Sequence, residues 1–146
     1  MLADVVEAAE EVGRTVVVTS RGQGPAVEAA LSDVHETPVL VVNADLPAAT
    51  PRDLLALLGS IPTDGLAVAA ATDGTTNALG LAAPGLFEPL YGPGSAERFL
   101  ALGPSRLVEI PNLADDVDTL HDLERLDSRL GPKTRAALRS LQTTAQ

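Results

Sequence analysis

From Pro38 to Pro47 the chain reads Pro-Val-Leu-Val-Val-Asn-Ala-Asp-Leu-Pro. The apolar run is short, rich in β-branched residues and free of alternation, which suits a strand buried on both faces. It ends on a carboxylate, Asp45, followed by a turn proline, Pro47. In open α/β sheets, ligands bind beyond the carboxyl ends of the strands. Asp45 therefore stands where a divalent cation can be held against a phosphate. The structural alternative is that Asp45 starts a turn or caps the helix near Arg52.

Elements of both kinds flank this strand. Leu2, Val5, Val6, Ala9 and Val12 recur at helical spacing, and Gly13 stops that helix. Thr15–Thr19 reads as a short β-branched strand, and Pro25–Val34 as a helix with proline in its first turn. Thr37–Asn43 holds the strand just described. Thr50 caps a helix that starts at Pro51 and buries Leu54, Leu55, Leu57 and Leu58. Gly65–Ala71 and Asn77–Ala83 are strands on either side of the loop Thr72–Thr76. Pro84–Leu90 is a short helical piece, Ser95–Leu102 a helix and Arg106–Ile110 a strand. Asp115–Thr119 leads into a helix that runs to Leu130, and Pro132–Leu141 forms a last amphipathic helix. Thr143–Gln146 is expected to fray. Strands alternate with helices, so the expected fold is α/β, three-layered, with a mostly parallel sheet in one domain over residues 1–146.

Composition narrows the function. Of the 146 residues, 45% are apolar and only 2% aromatic, so the core is built from Ala, Val and Leu. No apolar run spans a membrane, and the acidic, amphipathic start is unlike a signal peptide, so a cytoplasmic location is expected. The absence of cysteine excludes disulfides, thiolate metal sites and cysteine nucleophiles. A net charge of −10, with Lys133 as the single lysine, argues against nucleic acid and anionic membranes as partners. A nucleoside triphosphate would need a metal to screen its phosphates from such a protein.

Four loops carry chemistry-bearing residues. The first holds Asp45. The second, Gly74-Thr75-Thr76-Asn77, combines a glycine, two hydroxyls and an amide suited to wrapping an anion, or else makes an ordinary β-turn. The third, Gly92-Pro93-Gly94-Ser95, opens a helix whose first N–H groups attract anions, or is simply capped by Ser95. The fourth is Asp115-Asp116-Val117-Asp118-Thr119. Thr119 reads as a helix cap, whereas three clustered aspartates call for a cation. His35 and His121 lack ligand spacing and a neighbouring nucleophile, and read as surface residues. Gly22-Gln23-Gly24 lacks the third glycine of a dinucleotide fingerprint.

The order and spacing of these loops resemble one family. It comprises the guanylyltransferases that make the activated precursor of the deazaflavin coenzyme F-420. Those enzymes join GTP to 2-phospho-L-lactate or phosphoenolpyruvate and release pyrophosphate, within the superfamily that holds the molybdopterin and sugar nucleotidyltransferases. The matching pieces are Met1–Val6, Ala44–Pro47, Gly74–Leu79, Tyr91–Ser95 and Asp116–Thr119, joined by Leu130–Arg135. The resemblance implies a nucleotide-diphospho-sugar-transferase-like fold. It also implies that Asp45 and Asp118, with Asp116, hold Mg²⁺ at the reacting phosphates. Thr75, Thr76, Asn77, Gly92 and Ser95 would hold a small phosphorylated three-carbon acid, and Glu28 would accept from the guanine edge. The family's opening strand and its Lys- and Arg-bearing triphosphate loop do not precede the first helix here. That implies an N-terminally truncated sheet with unpaired edges, and self-association. The competing readings are a non-catalytic binding or interaction domain of the same fold, and a molybdopterin-branch nucleotidyltransferase, which the Gly-Pro-Gly-Ser loop disfavours. On the first reading, pyrophosphate release from GTP and phosphoenolpyruvate by this chain alone is expected to be very slow or nil. Full turnover by the monomer would show that the basic loop is dispensable.

Overall fold

The computed structural model describes residues 1–19 and 21–144. Four strands, β1 (Val39–Val42), β2 (Leu66–Ala70), β3 (Thr76–Leu81) and β4 (Ser105–Leu107), form one sheet in the order β1-β3-β2-β4. The helices are α1 (Leu2–Val12), α2 (Gln23–Leu31), α3 (Pro51–Gly59), α4 (Ser95–Leu100), α5 (Pro111–Ala114), α6 (Leu120–Arg125) and α7 (Pro132–Thr144). Short 3₁₀ turns lie at Pro84–Leu86 and Asp127–Arg129.

The α/β class holds, and the sheet is mixed. β3 runs antiparallel to both β1 and β2, while β2 and β4 are parallel, so β1, β2 and β4 share one direction. The cause lies in the loop between β2 and β3. A parallel crossover takes about a dozen residues or more, and the loop from Ala71 to Thr75 has room only for a hairpin turn. Asp73 closes that turn by accepting from the Thr75 N–H at 2.9 Å and the Thr75 hydroxyl at 2.6 Å. Gly74 supplies the left-handed backbone it needs, at φ 86°.

Register sorts the strand residues onto two faces. Val39 and Val41, Leu66 and Val68, and Leu79 and Leu81 line up across three strands and pack with Leu31, Phe87, Ala96 and Phe99. The opposite face carries Leu40, Val42, Ala67, Ala69 and Ala78, and packs with Val5 and Ala8 of α1, Leu54 and Leu57 of α3, and Leu113 of α5. Side chains on this second face are small. A Cβ at Gly80 would lie 2.6 Å from Ile61 Cγ1, so a side chain there would force Ile61 to move. With helices on both faces, the expected three layers are present.

Local elements differ from expectation at several places: β4 is Ser105–Leu107, α6 ends at Arg125, and Leu55 of α3 is 53% exposed. Thr15–Thr19 is not a strand: Val16, Val17 and Val18 are 62, 46 and 42% exposed. β-Branched residues favour strands only where a neighbouring strand is available to pair, and β1 is the edge of the sheet on its side. α7 continues through Thr144, with the Thr143 and Thr144 hydroxyls donating to the carbonyls of Arg139 and Ser140, each at 3.0 Å. Ala145 and Gln146 lie outside the described residues. Among the described residues no helix is long and apolar enough to cross a membrane.

The two ends of the chain meet at Asp4. This α1 carboxylate is buried and accepts from the Thr134 N–H at 2.7 Å, the Lys133 N–H at 3.1 Å and the Thr134 hydroxyl. It thereby caps α7, whose first N–H groups have no carbonyl of their own helix to bond. A Cβ at Gly131 would overlap this carboxylate, so the approach requires glycine there. Burial pushes the Asp4 carboxyl up, but the bonds from Thr134 and Lys133 outweigh it and hold its pKa below 3.8. A lowered folded-state pKa stabilises the fold above the unfolded value, and that contribution is lost as pH falls through the folded pKa. Asp4→Ala should therefore cost about 2 kcal/mol in urea unfolding at neutral pH. The gap between variant and wild type should narrow as pH drops below 3.8; a gap independent of pH would mean the carboxylate charge plays no part.

Candidate metal centre

The turn after β1 is fixed from several sides. The Asn43 N–H donates to Asn77 O at 2.9 Å, and the Asn43 amide donates to Thr76 O at 3.2 Å. Leu46 and Leu113 are both fully buried in the core below. Asp45 O accepts from the Val117 N–H at 3.0 Å, which draws the loop after α5 alongside the turn. As a result one carboxylate oxygen from each of Asp45, Asp116 and Asp118 lies within 4.8 Å of the others. The three metal ligands expected from the sequence converge, from segments far apart in the chain.

The donor set fits a hard cation. All three candidate donors are carboxylate oxygens, the type that Mg²⁺ prefers. Asp45 Oδ1 is buried and has no hydrogen-bond partner among the described residues, an arrangement that is costly unless something completes it. Burial pushes the Asp45 carboxyl up, and the nearby Asp116 and Asp118 carboxylates push it further. A divalent ion bridging the three would relieve both effects.

The acidic run divides into separate roles. Asp115 is held by Arg129 at 2.7 Å and Arg125 at 3.6 Å. Arg129 also donates to Asn112 Oδ1, and the Asn112 amide donates to Asp53 at 2.9 Å. Asp53 in turn completes a capping box with Thr50, so this chain of bonds ties α3 to the acidic loop. Asp116 accepts from the Asn77 amide at 3.2 Å. Asp122 closes the capping box of α6 with Thr119, the cap expected from sequence, and also accepts from the Asp118 N–H. Sequence reasoning missed Asn112 and Arg129. The signal available was a pair of arginines, Arg125 and Arg129, one helical turn apart downstream of an acidic run.

The two glycine-bearing loops are joined. The Ala96 N–H donates to Gly74 O at 3.2 Å, and the Thr76 and Ser95 hydroxyls lie 2.9 Å apart. Both are buried, Thr76 being 3% and Ser95 0% exposed. The Ser95 N–H is taken by Gly92 O at 3.0 Å. Arg98 grips the same loop by donating to Pro93 O at 2.7 Å and Leu90 O at 2.9 Å. Thus the structure brings Thr76, Gly92 and Ser95 together, but the Thr76 and Ser95 hydroxyls close on each other. Thr75 turns to Asp73, and Asn77 to Asp116. Glu28 is exposed on α2, in an open groove with Leu31, His35, Pro84 and Phe87 that includes none of the three clustered aspartates. His35 and His121 are exposed, as expected.

Sheet, covering helices and an acidic cluster beyond β1 together define an α/β domain with a candidate metal centre. Comparison with known proteins narrows the class: the family described as guanylyl transferase CofC like matches residues 1–109, and the chain belongs to that family. The match takes in Asp45 and both glycine-bearing loops. A phosphoenolpyruvate guanylyltransferase of Nocardia farcinica is 42% identical over 106 residues, covering 70% of this chain and 47% of that protein. Proteins of the same name from Streptomyces scabiei and Rhodococcus opacus are 37 and 36% identical, over 76 and 87% of this chain and 53 and 56% of theirs. The chain therefore spans about half the length of these relatives.

Because the cluster is self-repulsive, Asp45→Asn should melt at a higher temperature than the metal-free wild type. Mg²⁺ should stabilise the wild type, by about 2.7 kcal/mol at roughly a hundredfold excess over Kd, and leave the variant unmoved. A variant that melts lower and still responds to Mg²⁺ would make Asp45 a structural turn residue.

Proposed function

We propose that this chain is part of a guanylyltransferase that joins GTP to phosphoenolpyruvate, or to 2-phospho-L-lactate, in coenzyme F-420 biosynthesis in the cytoplasm. The observation that carries this reading is the convergence of Asp45, Asp116 and Asp118 on one point, with Asp45 Oδ1 left unpartnered, in a member of the CofC-like family. The names of the relatives favour phosphoenolpyruvate as the acceptor.

The acceptor phosphate is already ionised, so no protein nucleophile is needed. One of its oxygens bonds to the α-phosphorus of GTP, the bond from that phosphorus to the bridging oxygen breaks, and pyrophosphate leaves. Mg²⁺ bound at the cluster would neutralise phosphate charge and align the reactants. Asp45, Asp116 and Asp118 would hold the ion. Thr76 and Ser95, now bonded to each other, exchange that bond for the phosphate and carboxylate of the acceptor, beside the backbone of Gly92.

Two measurements test this. Calorimetric binding of phosphoenolpyruvate with Mg²⁺ present should weaken at least about tenfold in Ser95→Ala, roughly 1.4 kcal/mol. Unchanged affinity would leave Ser95 as a helix-start residue alone. Any Mg²⁺-dependent pyrophosphate release should be abolished in Asp45→Ala. Binding of both substrates with no release under any condition would favour a binding domain of the same fold.

A further inference from the structure

We infer that Asn77 is a positioning residue of the metal centre, orienting Asp116, rather than a contact to the acceptor; the inference rests on the metal-site reading above. The carrying observation is an irregularity in β3. Ala69 pairs with Ala78, whereas Ala70 pairs with Thr76, so Asn77 is an extra residue on its strand. Such a β-bulge re-aims a side chain.

The effect on facing is specific. Leu79 points to the α4 face and Ala78 to the α1 and α3 face. Strict alternation would place Asn77 with Leu79. Instead the Asn77 amide reaches Leu113 O at 3.0 Å and Asp116 Oδ1 at 3.2 Å, on the opposite side. Thr76, the next residue along, bonds Ser95 of α4. The bulge thus puts Asn77 on the same side as Ala78, and Thr76 on the side of Leu79.

Chemistry fixes which end of the amide faces Asp116. Leu113 O and the carboxylate are both acceptors, so only the NH₂ group can meet them, one hydrogen each. Asn77 is 3% exposed on an interior strand of the sheet, whereas Asp116 lies on a loop outside regular structure. The residue held in the sheet therefore orients the one on the loop. Asp115 next to it is held by Arg129. Bonds to groups behind a metal ligand commonly change metal affinity by about 10- to 100-fold.

The test is a double-mutant cycle with Mn²⁺ as the probe, its free concentration read by electron paramagnetic resonance up to millimolar levels. The proteins are wild type, Asn77→Ala, Asp116→Ala and the double variant, each checked for folding by metal-free melting. Asn77→Ala should weaken Mn²⁺ binding about tenfold or more. In the Asp116→Ala background the same substitution should change affinity by less than about twofold. If Asn77→Ala does not fold, Asn77→Ser replaces it in the same cycle. Equal loss in both backgrounds would show that Asn77 acts through the fold, and no loss would show that it does not act on the site; either result overturns the inference while the metal site stands. A wild type that binds no Mn²⁺ would remove the metal-site reading and this inference with it.

Discussion

The acidic cluster and the C-terminal segment both hang on the backbone of the turn after β1. Asp45 O accepts from Val117, and Pro47 O accepts from Gly131 at 2.8 Å. Buried carbonyls have to be paired, and here the partners come from the C-terminal third of the chain. The same residue that offers its carbonyl to Val117 offers its carboxylate to the acidic cluster. Docking of the C-terminal segment and assembly of the cluster are thus one event. A chain that failed to seat Val117 would lose the cluster without losing its sheet.

The sheet below is unequal on its two faces, and the inequality serves the site. Large residues on one face pack against a satellite of aromatic rings, with Phe87, Tyr91 and Phe99 within 5.3–6.1 Å of one another. Alanines on the other face pack with residues of α1 and α3. Leu46 beneath the turn after β1, and Leu113 beneath the acidic loop, are fully out of water. A rigid floor of this kind is what a cluster of mutually repelling carboxylates needs.

Much of this was legible in the sequence, for reasons that can be named. Helix starts at Thr50 and Thr119 follow from side-chain chemistry that acts within a few residues. The strand ending at Asp45 was readable because apolar runs and turn prolines are local too. The mixed direction of the sheet needed a count of the residues between β2 and β3, which the alternation of strands and helices obscured. Thr15–Thr19 misled because propensity does not supply a neighbour. Within the acidic run, Asp115 and Asp116 are adjacent but serve different partners, and the division is decided by Arg129 and Asn77, both distant in sequence. Asn77 was grouped with the loop it follows, since a bulge leaves no local signature that a period-two reading can detect. The first helix and the Gly131–Thr134 segment were both recognised, yet their meeting at Asp4 was not, because nothing local links two segments at opposite ends of a chain.

The aromatic cluster has an optical consequence. The chain has no tryptophan and a single tyrosine. Its intrinsic emission therefore comes from one ring, Tyr91, whose phenol is shielded enough that burial drives its ionisation well above the usual value. That ring adjoins the loop gripped by Arg98 and lies on the face away from α1 and α3. Unlabelled protein thus carries a built-in lamp for one half of the molecule. Rearrangement around Gly92 and Ser95 would be visible to it, while loosening of the α1–α7 contact would pass in the dark.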